Sequence, residues 1–304
     1  MFFSGESWRF YYVLGLSLLV FIVFMVNIAF IVLMERKAMA YSQSRKGPNK
    51  VGFCGLFQSF ADFLKLVSKM KGKMTSIRGS MSAVSLFWCG GLVIALMVLY
   101  SSCAGNLNTE NWLLVYLILF AMGGYCNMLV GWGSFNKYSL LAAVRVCMCS
   151  ICYDAILMCV MIVLGLVVSG YNILEFVEHS WMNILLFPGC FVCWMIFLLV
   201  ETFRVPFDYL EGESETVSGV NVEYNHIPFL ILYVYEYLVI FFLSWFTSLV
   251  FFGGNMMVVV LTVFHLLFFI LARATFARCR FDVFLNLTWK YLLIFFIFSL
   301  LVVV

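Results

Sequence analysis

The stretch FYYVLGLSLLVFIVFMVNIAFIVLM, Phe10 to Met34, is 25 residues without a charge. About 20 apolar residues in a helix cross the hydrocarbon of a bilayer, so this run is long enough to span. It is also longer than the roughly 7–15-residue apolar core of a cleaved signal, and Glu6 and Arg9 do not make a basic leader. A retained membrane helix is expected. The pattern repeats outward from it. Apolar runs predict spans near 11–34, 81–101, 112–131, 144–168, 184–201, 228–252, 256–272 and 283–304, with Gly253-Gly254-Asn255 as the turn between the sixth and seventh. Lys290 falls inside the eighth run, near its start, from where it can snorkel to the interface.

Composition agrees. Of 304 residues, 65% are hydrophobic and 11% charged, against roughly 25% charged in a soluble domain. Too little polar surface remains to cover a water-soluble globule. A nucleic-acid binder, a disordered chain and a secreted disulfide scaffold are excluded. The expected fold is an all-α polytopic integral membrane protein: one membrane domain over 1–304, with eight transmembrane helices and both termini on one side. The 11 cysteines are scattered. Cys149-x-x-Cys152 and Cys190-x-x-Cys193 lie in apolar helical runs without a nearby His or acid to complete a four-ligand site, so they read as small apolar filler.

Basic residues orient the chain. Ten of the 18 Lys and Arg lie between Arg36 and Arg78, and Arg273, Arg278 and Arg280 share a later loop. The loops 35–80, 202–227 and 273–283 are therefore expected on the cytoplasmic or mitochondrial matrix side. Within the first, Leu56, Phe60, Phe63, Leu64 and Val67 fall on one helical face and Gln58, Asp62, Lys65 and Lys69 on the other. This predicts a short amphipathic helix over 55–70, lying in the membrane interface or packed on a soluble partner.

The polar residues carry the functional reading. Asp154 and Glu236 lie roughly 12–13 Å into predicted spans at a rise of about 1.5 Å per residue. A charge at such depth costs about 2.5–3.5 kcal/mol and calls for a partner, water or a proton. Between Glu201 and Glu223 the chain carries six acids (Glu201, Asp208, Glu211, Glu213, Glu215, Glu223) and the single base Arg204, interleaved with Pro206, glycines and aromatics. Carboxylates crowded with few cations raise each other's proton affinity. Signatures of serine hydrolases, zinc proteases, dinucleotide folds and P-loops do not occur. Of the three histidines, His179, His226 and His265, no two are placed to ligate a haem.

Longer motifs point further. Glu35-Arg36-Lys37, Arg45-Lys46-Gly47-Pro48-Asn49, Phe60-Ala61-Asp62, Glu201-Thr202, Pro206-Phe207-Asp208, Glu211-Gly212-Glu213-Ser214-Glu215, Val217-Ser218-Gly219, Glu223-Tyr224, Glu236-Tyr237 and Trp289-Lys290 occur in order along the chain. The sequence resembles subunit 1 of the proton-pumping NADH:ubiquinone oxidoreductase, respiratory complex I. The resemblance implies a membrane subunit that helps form a ubiquinone chamber and couples quinone reduction to proton translocation. By position, Arg36, Asp62, Arg204, Phe207, Asp208, Arg273 and Arg278 would line the quinone side. Glu201, Glu211, Glu213, Glu215, Glu223, Glu236 and Asp154 would form a proton relay. Ubiquinone would be the substrate, with FMN and iron–sulfur clusters in partner subunits and no redox centre in this chain. Partners would be the hydrophilic quinone-module subunits, the antiporter-like membrane subunits and lipid. The place would be the mitochondrial inner membrane, with the chain made in the organelle, or else a bacterial plasma membrane. The sequence departs from the family at Asp154, where Glu is usual, and at Cys149, Phe203 and Ala277, where Gln, Asn and Pro are usual. Intramembrane acids also suit an ion-coupled transporter, but no inverted repeat is visible. The membrane anchor of an energy-converting hydrogenase is a second rival, and a pure scaffold a third.

Overall fold

The computed structural model describes residues 3–69, 79–104, 111–179, 183–254 and 257–303, with side chains from Gly15 onward except at 104, 179, 213 and 214. Seven helices are long and apolar enough to cross a membrane, and an eighth apolar helix is shorter. Among the described residues there is no strand. In chain order the elements are α1 (Phe3–Ser42), α2 (Gln58–Ser68), α3 (Gly79–Ala104), α4 (Trp112–Gly133), α5 (Lys137–Val168), α6 (Ile173–His179), α7 (Asn183–Leu186) and α8 (Pro188–Glu201). They continue with α9 (Glu213–Thr216), α10 (Ile227–Phe252), α11 (Met257–Thr275), α12 (Phe281–Leu287), a π turn (Thr288–Leu292) and α13 (Leu293–Val303).

Helix bounds differ from the apolar runs where polar residues have protein partners. The charges from Glu35 to Lys37 were expected to open a loop, yet α1 runs through them to Ser42, because neighbouring helices and loops supply their partners. Likewise α5 starts at Lys137 rather than 144, capped by the Asn136 side chain accepting from Tyr138 N–H at 3.1 Å. Its first turns rise beside the acidic loop, so Arg145 lies two turns inside the helix rather than at its start. The fifth span is broken at Phe187, where Pro188 opens α8 and lacks the N–H to continue α7. Arg273 belongs to the end of α11 rather than to the loop that follows. The amphipathic helix covers 58–68, not 55–70, and a 3₁₀ turn at Phe53–Gly55 precedes it. Lys290 sits exposed in the π turn.

Helices in lipid associate by close packing and specific polar contacts. The core is aromatic. Tyr116 and Phe246 stack with centroids 4.0 Å apart, Trp112 meets Trp245 at 5.9 Å, and Phe24 reaches Phe241 at 4.8 Å. The scattered cysteines include one pair that the sequence did not single out. Cys89 of α3 and Cys126 of α4 are joined in a disulfide, while the cysteines of both C-x-x-C pairs are free.

The acidic loop folds onto the helix ends. Gly219 has φ +56°, and a Cβ there would come within 1.8 Å of the Leu210 carbonyl oxygen. Leu210 O in turn accepts from Val220 N–H at 3.2 Å, and Pro206 O from Cys279 N–H at 2.8 Å. The first bond closes the loop on itself, and the second ties it to the segment that follows α11.

Candidate functional site

Val32, Glu35, Arg36 and Met39 stand at i, i+3, i+4 and i+7 and so share one face of α1. That face walls a cavity of ≈ 540 Å³, within the roughly 300–1,000 Å³ typical of small-molecule sites. Tyr233, Glu236 and Tyr237 come from α10, Arg204 and Glu211 from the acidic loop, Arg273 from α11, and Arg45 and Pro48 from the first loop. Three carboxylates and four guanidiniums thus face one space.

Glu35 is its hub. The residue is 8% exposed. Its Oε1 accepts from Arg204 Nη1 at 2.9 Å and from Arg273, and its Oε2 accepts from the Tyr237 hydroxyl. The Arg204 guanidinium also lies 4.8 Å from the Tyr237 ring centroid. A buried anion is tolerated when hydrogen-bonded cations surround it. Burial works against the Arg204 charge, but Tyr237 and Glu35 outweigh it and hold this guanidinium more firmly protonated than usual. Arg36 faces the same cavity while bonding Asp62 of α2 at 2.5 Å, and Gln58 takes the other Asp62 oxygen at 3.0 Å. That pair pins the amphipathic helix to the end of α1.

Two small cavities adjoin the large one and share Glu236 with it. The first, ≈ 30 Å³, is lined by Asp208, Glu211, Glu236 and Arg273. The second, ≈ 20 Å³, runs from Glu236 to Glu201, with Asn127, Ser150 and Tyr235 around it. Each is large enough for about one water molecule, and its polar walls suit one. Glu236 lines all three spaces. Asp154, half-buried on α5, lies one turn beyond Ser150 and within electrostatic reach of Glu201.

The structure therefore gathers Arg36, Arg204, Arg273, Glu211 and Glu236 around one cavity, with Asp208, Glu201 and Asp154 leading away from it. Other expected site residues stand elsewhere. Asp62 holds Arg36 from outside the cavity lining. Phe207 is buried against Phe284, centroids 5.6 Å apart. Arg278 lies over the Tyr209 ring at 5.9 Å. Glu215 is ion-paired with Arg145 on an exposed face. The hydrogen bond from Arg145 holds the Glu215 carboxyl below the usual glutamate range. Glu223 accepts from Asn136 Nδ2 at 3.0 Å, beside the α4–α5 connection. The neighbouring Tyr224 hydroxyl donates to Val130 O at 2.8 Å, and burial pushes that phenol up to about 12. The Glu213 side chain lies outside the described residues.

Four residues of the site were given no site role in the sequence reading: Glu35 and Tyr237, which stood only in the quoted motifs, and Asn127 and Tyr235. Glu35 carried a signal, the 3.6-residue spacing that runs unbroken from Val32 to Met39. Asn127 and Tyr235 carried none, since a lone amide or hydroxyl in an apolar helix is most often just a satisfied polar group.

Comparison with known proteins gives the family. A family model described as NADH dehydrogenase matches residues 16–304. The "NADH-ubiquinone oxidoreductase chain 1" of Aedes aegypti is 36% identical over 285 residues, covering 90% of this chain and 89% of the relative. The same-named chain of Rhipicephalus sanguineus is 34% identical over 273 residues, covering 88% and 87%. That of Paracentrotus lividus is 36% identical over 290 residues, covering 90% of each. A polytopic helical body, a charged cavity at its helix ends and relatives aligned over nine-tenths of the length lead to one conclusion: this chain belongs to the NADH dehydrogenase family.

Proposed function

We propose that this chain is the membrane subunit of an NADH:ubiquinone oxidoreductase that forms part of the ubiquinone site and couples quinone reduction to proton movement. The observation that carries the reading is Glu236, one carboxyl that borders both the large cavity and the two small ones leading to Glu201. The large cavity suits a quinone headgroup. Its charges nearly balance, so a neutral ring can enter, and its guanidiniums can stabilise the negative charge that develops when the ring accepts electrons. Val32, Met39 and Pro48 give it an apolar margin toward α2, where an isoprenoid tail would lie.

Reduction of the ring to the quinol takes up two electrons and two protons. A change of charge beside Glu35, Arg204 and Arg273 alters how strongly Glu211 and Glu236 hold protons, because coupled carboxylates respond to each other's charge. Glu236 passes the change to Glu201, and Glu201 to Asp154. Electrons would come from FMN and iron–sulfur clusters in hydrophilic partner subunits seated over the loops, and protons would leave toward antiporter-like membrane subunits. The place would be the mitochondrial inner membrane, as the animal relatives suggest. The ion-coupled transporter and the hydrogenase anchor are less well supported, since the relatives named above are ubiquinone oxidoreductase chains.

A photoreactive ubiquinone analogue tests the chamber. After illumination of the assembled enzyme, label is expected on peptides containing residues 32–48 or 204–211, with competition by unlabelled ubiquinone. Competable label confined to other subunits, with none on this chain, contradicts it.

A further inference from the structure

The gap between Glu236 and Glu201 has a feature that the acids alone do not explain. Two adjacent glycines of α4, Gly123 and Gly124, each receive a hydroxyl from a different helix. A Cβ on Gly123 would stand 2.4 Å from the Tyr235 hydroxyl oxygen of α10, and one on Gly124 would stand 2.3 Å from Ser150 Oγ of α5. The paired glycines thus open α4 at the ≈ 20 Å³ cavity, and Asn127, one turn further along α4, closes the same space. Tyr235, Asn127 and Ser150 are all buried. Ser150 is already committed, donating to Cys147 O at 2.9 Å. Tyr235 lies within electrostatic reach of both Glu236 and Glu201. Nonpolar side chains at 127 and 235 would satisfy an apolar helix contact better, because a polar group buried without use costs free energy.

We propose that the Tyr235 hydroxyl, assisted by the Asn127 amide and one water in this cavity, is the link that carries a proton between Glu236 and Glu201. The step is a relay. The Tyr235 oxygen accepts a proton from the Glu236 carboxyl while its own proton passes through the water to the Glu201 carboxylate, and rotation of the hydroxyl resets it. Tyrosine ends with the one proton it began with, Glu236 has lost one and Glu201 has gained one. The Asn127 amide orients the water, and Gly123 keeps α4 from displacing the hydroxyl. The assignment rests on the relay reading above and adds to it a specific carrier.

The test uses the assembled enzyme in sealed membranes, with Tyr235→Phe, Asn127→Leu and, in parallel, Glu236→Gln. Tyr235→Phe nearly keeps side-chain volume, and Asn127→Leu keeps the branched shape and the number of side-chain heavy atoms while removing the amide. For Tyr235→Phe, coupled turnover is expected to fall about tenfold, below the usual effect of a lost acid–base group because water can enter the vacated space. The KM for ubiquinone stays unchanged, and the solvent deuterium isotope effect on turnover rises, which a purely structural role would not produce. Asn127→Leu moves in the same direction and carries the test alone if the Phe variant fails to assemble. Wild-type turnover, isotope effect and proton yield in these variants, with Glu236→Gln still impaired, would overturn the tyrosine link and leave the acid relay standing. Wild-type behaviour of Glu236→Gln as well would overturn the relay itself.

Discussion

Glu35 shows how one side chain organises a site. It is an anion at the end of a 25-residue apolar run, and folding brings it two arginines and a tyrosine from three other segments. Removing one partner of a buried charge cluster leaves the others uncompensated, at a cost of about 3 kcal/mol or more. Glu35→Gln is therefore expected to destabilise this subunit by about that much and to raise the KM for ubiquinone, read by thermal loss of assembled enzyme and by quinone titration. Glu215 belongs to the periphery and behaves differently. Its carboxyl titrates lower in the folded protein than in the unfolded chain. The stability it lends is thus complete above the usual glutamate range and is lost as pH falls through its depressed folded value. The pair is half-exposed, so the effect is small. Hydrogen-exchange protection over residues 213–221, corrected for the pH dependence of intrinsic exchange, should be higher at neutral pH than under acid conditions, and Glu215→Gln should shrink that difference.

Residues of the site were legible in proportion to their charge. Arg36, Arg204, Arg273, Glu211 and Glu236 stood out against apolar surroundings, and the fold brings them to one cavity. Phe207 and Arg278 were grouped with them by resemblance, yet one packs in the aromatic core and the other covers Tyr209. Asn127 and Tyr235 acquire their place only when α4, α5 and α10 meet.

At the scale of elements, apolar runs located the spans, and errors fell where tertiary partners replaced water. Glu35 to Lys37 stay helical because neighbouring helices and loops supply their partners. Pro188 broke a run that hydropathy alone reads as continuous. The disulfide between Cys89 and Cys126 was invisible, since spacing cannot tell which of 11 cysteines meet. The acidic loop depends on backbone shape as much as on charge. Gly219→Ala would place a methyl against the Leu210 carbonyl in a backbone region that costs other residues about 1–2 kcal/mol even without a clash. Assembly of the enzyme, read on native gels, is expected to fall sharply, whereas the nearby exposed change Ser218→Ala should leave it near wild type.

Across the whole molecule, the acids and arginines of the site run from the helix ends into a bundle whose core is mostly apolar and aromatic. α12, the π turn and α13 make the least-buried span, in which Trp289, Lys290 and Tyr291 are exposed. On the proposed reading, a body with its cavity at one end and acids leading inward would transmit between neighbouring subunits. Mild detergent extraction should therefore recover the chain in a large redox assembly, and recovery solely as a free monomer with ion-transport activity would favour the transporter. The most direct measurement is the proton-to-electron ratio of the assembled enzyme carrying Glu236→Gln, a change that preserves size and removes the titrating carboxyl where the three cavities meet. The account predicts that proton translocation is lost and coupled turnover falls by an order of magnitude or more. An unchanged ratio at full quinone reductase activity would contradict it.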